Sequence, residues 1–318
     1  MRVIPALTAA AVLCLPSLAV AAPQAAPPAY QSVLTSLGRS GDFKDGVLKV
    51  NLPRTDLKVT INGRPVPTAL GFGGWIALTD GDHGMAVMMG DLVLTEDQVN
   101  PVLSAILDNG LEATALHNHF FWESPRIFYM HVHGHGTPAD LAKRIKPALD
   151  LLMRNVKPAP PAPPAPPAPP APPAPPAPPA PPAPPAPPAP PAIDGAALSK
   201  IIGVPGEQLG AVYKITIGRP DLAVKEMGAV INTRMGLNTW AAFAGTDADA
   251  VVAGDVAMVA KEVTPVLTAM RKAGLSIVSL HHHMMGTEPQ IYFLHYWGQG
   301  SAATLAAGVK SAVALLGK

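Results

Sequence analysis

One cysteine serves a chain of 318 residues. It is Cys14, inside the amino-terminal stretch MRVIPALTAAAVLCLPSLAVAA. There Arg2 precedes an apolar run from Val3 to Val20, and Ala19-Val20-Ala21 offers an A-x-A cleavage site. Residues 1–21 read as a secretory signal peptide cut after Ala21. Val12 and Leu13 ahead of the cysteine do not make a lipobox. The mature chain then has no thiol, which excludes disulfides, thiolate metal sites and a cysteine nucleophile. Export without disulfides calls for domains large enough to be held by their cores alone.

Charge is scarce as well. Charged residues make up 14% of the chain and the net charge is +1. Lysine and arginine are scattered, so no basic stripe points to nucleic acid. Behind the signal no apolar run is long enough to span a bilayer, so no transmembrane segment is expected after cleavage. The expected location is periplasmic or secreted. The sequence has no P-loop, no G-x-S-x-G and no H-E-x-x-H.

Proline, by contrast, is abundant, with 39 residues. Residues 158–192 are almost pure Ala-Pro-Pro. Proline fixes φ and removes the backbone donor, so this stretch should be a polyproline II tether. It reaches roughly 100 Å at ~3.1 Å per residue. On either side lie two segments that resemble each other. LEATALHNHFFWESPRIFYMHVHGHG from Leu111 aligns without gaps with LSIVSLHHHMMGTEPQIYFLHYWGQG from Leu275, at an offset of 164. GDLVLTEDQVNPVLSAILDNG from Gly90 and GDVAMVAKEVTPVLTAMRKAG from Gly254 share that offset. GFGGWIAL from Gly71 and GLNTWAAF from Gly236 match at 165. This is a tandem duplication of units of about 125 residues.

Each unit opens with a short helix, Gln31 to Leu37 and Ala196 to Ile202. In the first, β-rich stretches follow at Val47 to Leu52, Lys58 to Ile61, Trp75 to Leu78 and Met85 to Leu94. Thr95 is a plausible N-cap for a helix through Val99, Val102, Leu103, Ile106 and Leu107. Pro101 means that this helix begins late or is kinked. Strands are expected at Glu112 to Phe120 and Arg126 to His133, and Pro138 opens a final helix. The fold class is α+β. Two tandem homologous domains, 30–157 and 193–318, each pair an antiparallel sheet with two main helices.

Five of the ten histidines fall between His117 and His135. Strand side chains alternate faces, so His117 and His119 share one, as do His131 and His133. A symmetric hairpin turning at Ser124-Pro125-Arg126 sets His119 opposite His131 and His117 opposite His133, with Cβ atoms ~4.5–5.5 Å apart. In the second unit a turn at Pro289 sets His283 opposite His295 and His281 opposite Trp297. Three histidines recur at the 164 offset, while His133 becomes Trp297 and His135 becomes Gln299. Three imidazoles with an open position suit a zinc, copper or iron site. Glu123 and Glu288 are nearby carboxylates that can complete such a site. The metal candidates are therefore His117, His119, His131, His133 and Glu123, and His281, His283, His295 and Glu288, one site per repeat. The expected cofactor is a divalent transition metal, Zn or Cu. His135 lies between Gly134 and Gly136, where the strand should already have ended.

Other residues have plainer readings. Met88, Met89, Met284 and Met285 fill cores, or act as soft copper ligands. Trp75 and Trp240 anchor cores or line a groove. His83 sits in a surface turn. Asp91 and Asp255 fit a tight bend with a local side-chain hydrogen bond.

The segments GFGGW, GDLVLTEDQVNPVLSAILDNGLEATALHNH and PRIFYMH, with their partners GLNTWAAFAG, EVTPVLTAMRKAG and HHHMMGTEPQIYFLHYWGQG, resemble the LppY/LpqO family of exported bacterial proteins. That is a domain of unknown function commonly found as a tandem pair. The resemblance implies export and a tandem fold, and it maps the family's HxH…H pattern onto His117, His119, His131, His281, His283 and His295. The family's namesakes are regarded as lipoproteins, a point on which this chain departs. Two functional readings stand. One is an exported metal-binding protein, with or without enzymatic activity. The other is a non-catalytic module for a cell-envelope ligand whose histidines are structural.

Overall fold

The computed structural model describes residues 25–153 and 193–318. The stretch expected to be a signal peptide and the Ala-Pro-Pro segment lie outside the described residues. The first repeat runs α1 (Pro28–Leu37), β1 (Asp42–Lys44), β2 (Val47–Pro53), β3 (Thr60–Ile61), β4 (Arg64–Pro65), β5 (Gly73–Asp80), β6 (Ala86–Thr95), α2 (Val99–Asp108), β7 (Glu112–His117), β8 (Glu123–Ser124), β9 (Ile127–Gly136) and α3 (Pro138–Met153). The second runs α4 (Gly195–Ile202), β10 (Gly206–Leu209), β11 (Val212–Gly218), β12 (Lys225–Glu226), β13 (Ala229–Val230), β14 (Asn238–Gly245), β15 (Ala250–Val259), α5 (Ala260–Lys272), β16 (Ser276–His281), β17 (Ile291–Gly300) and α6 (Ala302–Val313). Both repeats are α+β, as the residue patterns imply.

Each repeat builds one six-stranded antiparallel sheet. The orders, β1-β2-β5-β6-β9-β7 and β10-β11-β14-β15-β17-β16, are equivalent. Gly38 and Gly203 close the opening helices in the left-handed region, where a side chain would be strained. Thr95 is the N-cap of a 3-10 turn ahead of α2, while Gln98 takes that place for α2 itself. The Thr95 backbone N–H is met by Gln98 Oε1 at 3.1 Å, and the 3-10 turn covers Glu96–Gln98. Pro101 therefore falls in the first turn of α2, where its missing N–H costs nothing.

The helices cover one face of each sheet. Leu48, Ile76, Met88, Leu92, Met130 and Val132 pack with Val33, Val102, Ile106, Leu141 and Ile145 in one core. Ile215, Phe243, Val252, Val256 and Leu294 pack with Leu198, Val266, Met270 and Val309 in the other. The opposite faces meet each other. One shared cluster joins Val59, Ile61, Leu70, Phe72 and Phe120 of the first repeat to Val212, Ala242, Val251 and Trp297 of the second. A second joins Val47, Ala77, Val87 and Met89 to Val224, Ile231, Met235 and Phe293. The result is four layers, helices–sheet–sheet–helices, with each repeat's β3–β4 or β12–β13 arm lying on its neighbour's sheet. Strand β6 is buried at nine successive positions from Ala86 to Leu94, since it is covered on both faces.

Candidate metal centre

The site grows from a single rung of each sheet. Trp75, Asp91 and His131 lie side by side across β5, β6 and β9. Trp240, Asp255 and His295 do the same across β14, β15 and β17. Asp91 and Asp255 are thus mid-strand residues on the inner faces, not the bend that their glycine neighbours suggest. Gly90 and Gly254 nonetheless have a role, since their carbonyls meet His131 Nδ1 at 3.4 Å and His295 Nδ1 at 3.2 Å. A carbonyl only accepts, so each Nδ1 donates and each Nε2 keeps its lone pair. Both Nε2 atoms are buried without a hydrogen-bond partner.

The hairpin register differs from the symmetric one. His117 pairs with Tyr129 and Ala115 with His131, while Glu112 faces His133. In the second repeat His281 pairs with Phe293 and Ser279 with His295. Both edge strands carry a register irregularity, and both end at the first histidine of the H-x-H motif. His119 and His283 therefore sit beyond the strands. The middle residue of each motif holds them there: Asn118 Nδ2 donates to the Ile127 carbonyl at 2.7 Å, and His282 Nδ1 lies 3.3 Å from that of Ile291. His119 stacks on Tyr129 with centroids 3.2 Å apart, and His283 on Phe293 at 3.4 Å. The opposite repeat completes the clamp. Thr114 Oγ1 donates to the His283 carbonyl, and Ser279 Oγ to that of Asn118.

These constraints bring six imidazoles together between the sheets. His117 stacks on His281 with centroids 3.9 Å apart, His119 on His295 at 3.5 Å, and His131 lies against His283 at 4.0 Å. Every close pair joins the two repeats, and the pairs interchange under the internal duplication. Two of the three donor groups mix repeats, because the sheets pack through the faces that carry the histidines, while the third, Asp255/His281/His283, lies within the second repeat. Within each of three groups, His117/His119/His295, His117/His131/His281 and Asp255/His281/His283, one donor atom per residue lies within 4.8 Å of the others. Donors on one tetrahedral zinc are about 3.3 Å apart, so small side-chain movements close any of these groups on an ion.

The electrostatics suit a cation. Burial, reinforced by neighbouring imidazoles, drives His117, His119, His281 and His283 well below the usual histidine range. Burial takes His131 and His295 down to about 3. All six are neutral imidazoles at neutral pH. Asp91 lies 4.0 Å from His119 Nε2 and 3.9 Å from His131 Nδ1. Asp255 lies 3.5 Å from His283 Nε2 and 4.0 Å from His295 Nε2. Burial raises Asp91 to about 7 against the pull of Lys49, and pushes Asp255 well above the carboxylate range with help from Asp91. Both ring nitrogens of His117, His119, His281 and His283 are buried without partners, as is Asp91 Oδ1. Such orphaned groups cost free energy that a bound cation offsets. An ion held by three imidazoles keeps a position for water or ligand. A cavity of about 400 Å³ opens over the centre, lined by His119, His283, His295, both aspartates, Trp75, Trp240, Lys49 and Lys214.

Three expected ligands are elsewhere. His133 Nε2 faces Glu226 of the second repeat at 3.1 Å, and its Nδ1 lies 3.8 Å from Glu112. The equivalent residues across the duplication, Trp297 and Ile61, are apolar members of one shared cluster. His133 and Glu226 are thus a polar version of an arm-on-sheet contact. Glu288 is exposed, and Glu123 sits in β8 opposite Ile61. Neither belongs to a donor group. His135 is still within β9, paired with Val87, so the strand outlasts its glycines. Met88, Met89 and Met284 are buried and Met285 is exposed, as is His83 in its turn. Asp91, Asp255, Lys49 and Lys214 went unread as site residues. Their signal was available, since both pairs keep their chemistry at the duplication offset.

Comparison with known proteins agrees with the duplication. A family model described as Domain of Unknown Function (DUF1259) matches residues 31–151 and again 196–315. No curated protein matches. Among solved structures, a trimeric bacterial microcompartment shell protein, PduB, is 14% identical with a TM-score of 0.20, over 86% of this chain and 89% of its own. EtuB from Clostridium kluyveri is 10% identical with a TM-score of 0.19, over 87% and 91%. Scores this low carry no argument about this chain.

Proposed function

Because the chain belongs to the family described as Domain of Unknown Function (DUF1259), with two tandem copies, we propose a function from the site alone: it binds divalent transition metal in one centre built jointly by both repeats. The observation that carries this reading is the pairing of His119 with His295 and of His131 with His283, with their outward nitrogens buried and unpartnered. His117, His119 and His295 form one half of the centre. His281, His283 and His131 form its equivalent across the repeat. Neutral imidazoles with two aspartates fit zinc or copper. No helix among the described residues is long and apolar enough to cross a membrane. The same proposal makes this an exported LppY/LpqO-like protein, supported by the Val3 to Val20 run and its A-x-A site.

Metal analysis of the full chain, purified without a histidine tag and titrated with Zn²⁺ and Cu²⁺, tests the reading. Tight uptake that falls sharply in His119→Ala supports it. No uptake by the folded wild-type chain overturns it.

A further inference from the structure

The cavity over the histidines carries a second chemistry, contributed equally by the two repeats. Lys49 Nζ stands over the Trp75 ring, 4.5 Å from its centroid, and Lys214 Nζ over the Trp240 ring at 4.6 Å. These residues correspond across the duplication, and all four line the cavity. Among the described residues neither ammonium has an ion pair or a hydrogen-bond partner. Each is half-buried, and burial pulls both below the usual lysine range, Lys49 to about 8 with Lys214 the next cause. The carboxylates that face them are Asp42 and Asp91 for Lys49, and Glu207 and Asp255 for Lys214. A divalent ion held by Asp255, His281 and His283 would leave two ammonium groups and a metal facing one small space.

We infer that this cavity binds a small oxyanion carrying two charges, a dicarboxylate or a phosphate monoester, held between Lys49 and Lys214 with one end directed at the ion. The ion end of this inference rests on the metal reading above. Lysine offers three donors and a compact charge suited to either oxyanion. The tryptophans fix the aliphatic stems and form flat walls for the ligand. A volume of about 400 Å³ suits a small molecule rather than a polymer.

The full-length chain, zinc-loaded and zinc-free, is titrated calorimetrically with malonate and with inorganic phosphate, after zinc uptake has been measured on its own. Wild type should bind at least one of the two, and which one assigns the dicarboxylate or the phosphate class. Lys49→Met and Lys214→Met should each weaken that binding at least about tenfold, the loss of a charge-assisted hydrogen bond, with zinc uptake unchanged. Lys49→Arg, which keeps the charge, should retain it. Lysine variants that take up zinc and bind both anions like wild type overturn the inference, as does a zinc-loaded wild type that binds neither. Failure of zinc uptake with lysine-dependent anion binding intact overturns the metal reading and the ion end only, and supports the lysine clamp.

Discussion

His117 of the first repeat lies face to face with His281 of the second, their ring centroids 3.9 Å apart and their planes 19° from parallel. Equivalent residues meet this way only where an internal two-fold relation passes between them. The two remaining pairs, His119 with His295 and His283 with His131, sit on either side of it. The duplication therefore did more than repeat a domain. It produced two inner faces that bring six imidazoles together by meeting. The absence of four of these histidines' ring-nitrogen partners, like the raised carboxylates beside them, follows from that meeting.

His133 separates this arrangement from a simple histidine cluster. Its Nε2 faces Glu226 at 3.1 Å, away from the other imidazoles. His133→Ala should leave metal stoichiometry unchanged. It should lower unfolding free energy by about 1–3 kcal/mol, because the mostly buried Glu226 carboxylate loses its partner. Metal analysis and urea denaturation of the same preparation read both quantities. Loss of metal in His133→Ala would place it among the ligands.

Acid should destabilise the metal-free chain. Six imidazoles have folded pKa values below their unfolded value near 6.5. The unfolded chain takes up protons first as pH falls, so this contribution is present above about pH 6.5 and is lost on acidification toward about 3. Asp91 and Asp255 act in the opposite sense, since their raised values favour the folded state as pH drops below about 7. Two groups oppose six, and each contributes at most about 1.4 kcal/mol per pH unit. Urea midpoints for metal-free protein should therefore fall between pH 7.5 and 5.5. Metal affinity should decline on acidification, because Asp255, whose carboxyl burial holds well above the usual range, must release its proton as the ion binds. An affinity that is flat to pH 6 would remove the aspartates from the centre.

Much of this was legible in the sequence, and the remainder was hidden for identifiable reasons. The duplication, the element order and the shared face of His117 and His131 follow from offset and alternation. The register does not, because the chain leaves the sheet after His117 and spends Asn118 to Arg126 on a loop whose β8 pairs with β3. No short-range signal marks that detour. The packing of the repeats had one trace, the apolar run of Ala86 to Leu94, which shows no alternation and is broken only at Gly90 and Asp91. A strand with only one covered face would alternate. The juxtaposition could not be read from spacing within a repeat, since its closest imidazole pairs cross between repeats.

A buried arginine offers a paired stability test. Arg219 meets Glu262 through two hydrogen bonds of 2.9 and 3.0 Å and donates to the Ala257 carbonyl. Its counterpart Arg54 meets neutral Gln98 at 2.9 Å and the Val93 carbonyl. Arg219→Met strands a buried carboxylate and should cost about 3–5 kcal/mol. Each arginine also holds a solvent-exposed aspartate, Asp56 or Asp221, so the difference lies in the buried partner: Arg54→Met strands a neutral amide there and should cost about 1–3 kcal/mol. Denaturant midpoints of the two variants compare them directly, and equal losses would show that the Glu262 charge carries no weight.

The most direct measurement is the metal content of a chain carrying His119→Ala and His131→Ala together, with folding checked by its thermal melt. Both substitutions lie in the first repeat, yet His119 belongs with His295 and His131 with His283. A centre shared between repeats loses all of its metal. Retention of half the wild-type metal at unaltered affinity, held by an intact second repeat, would contradict the shared centre.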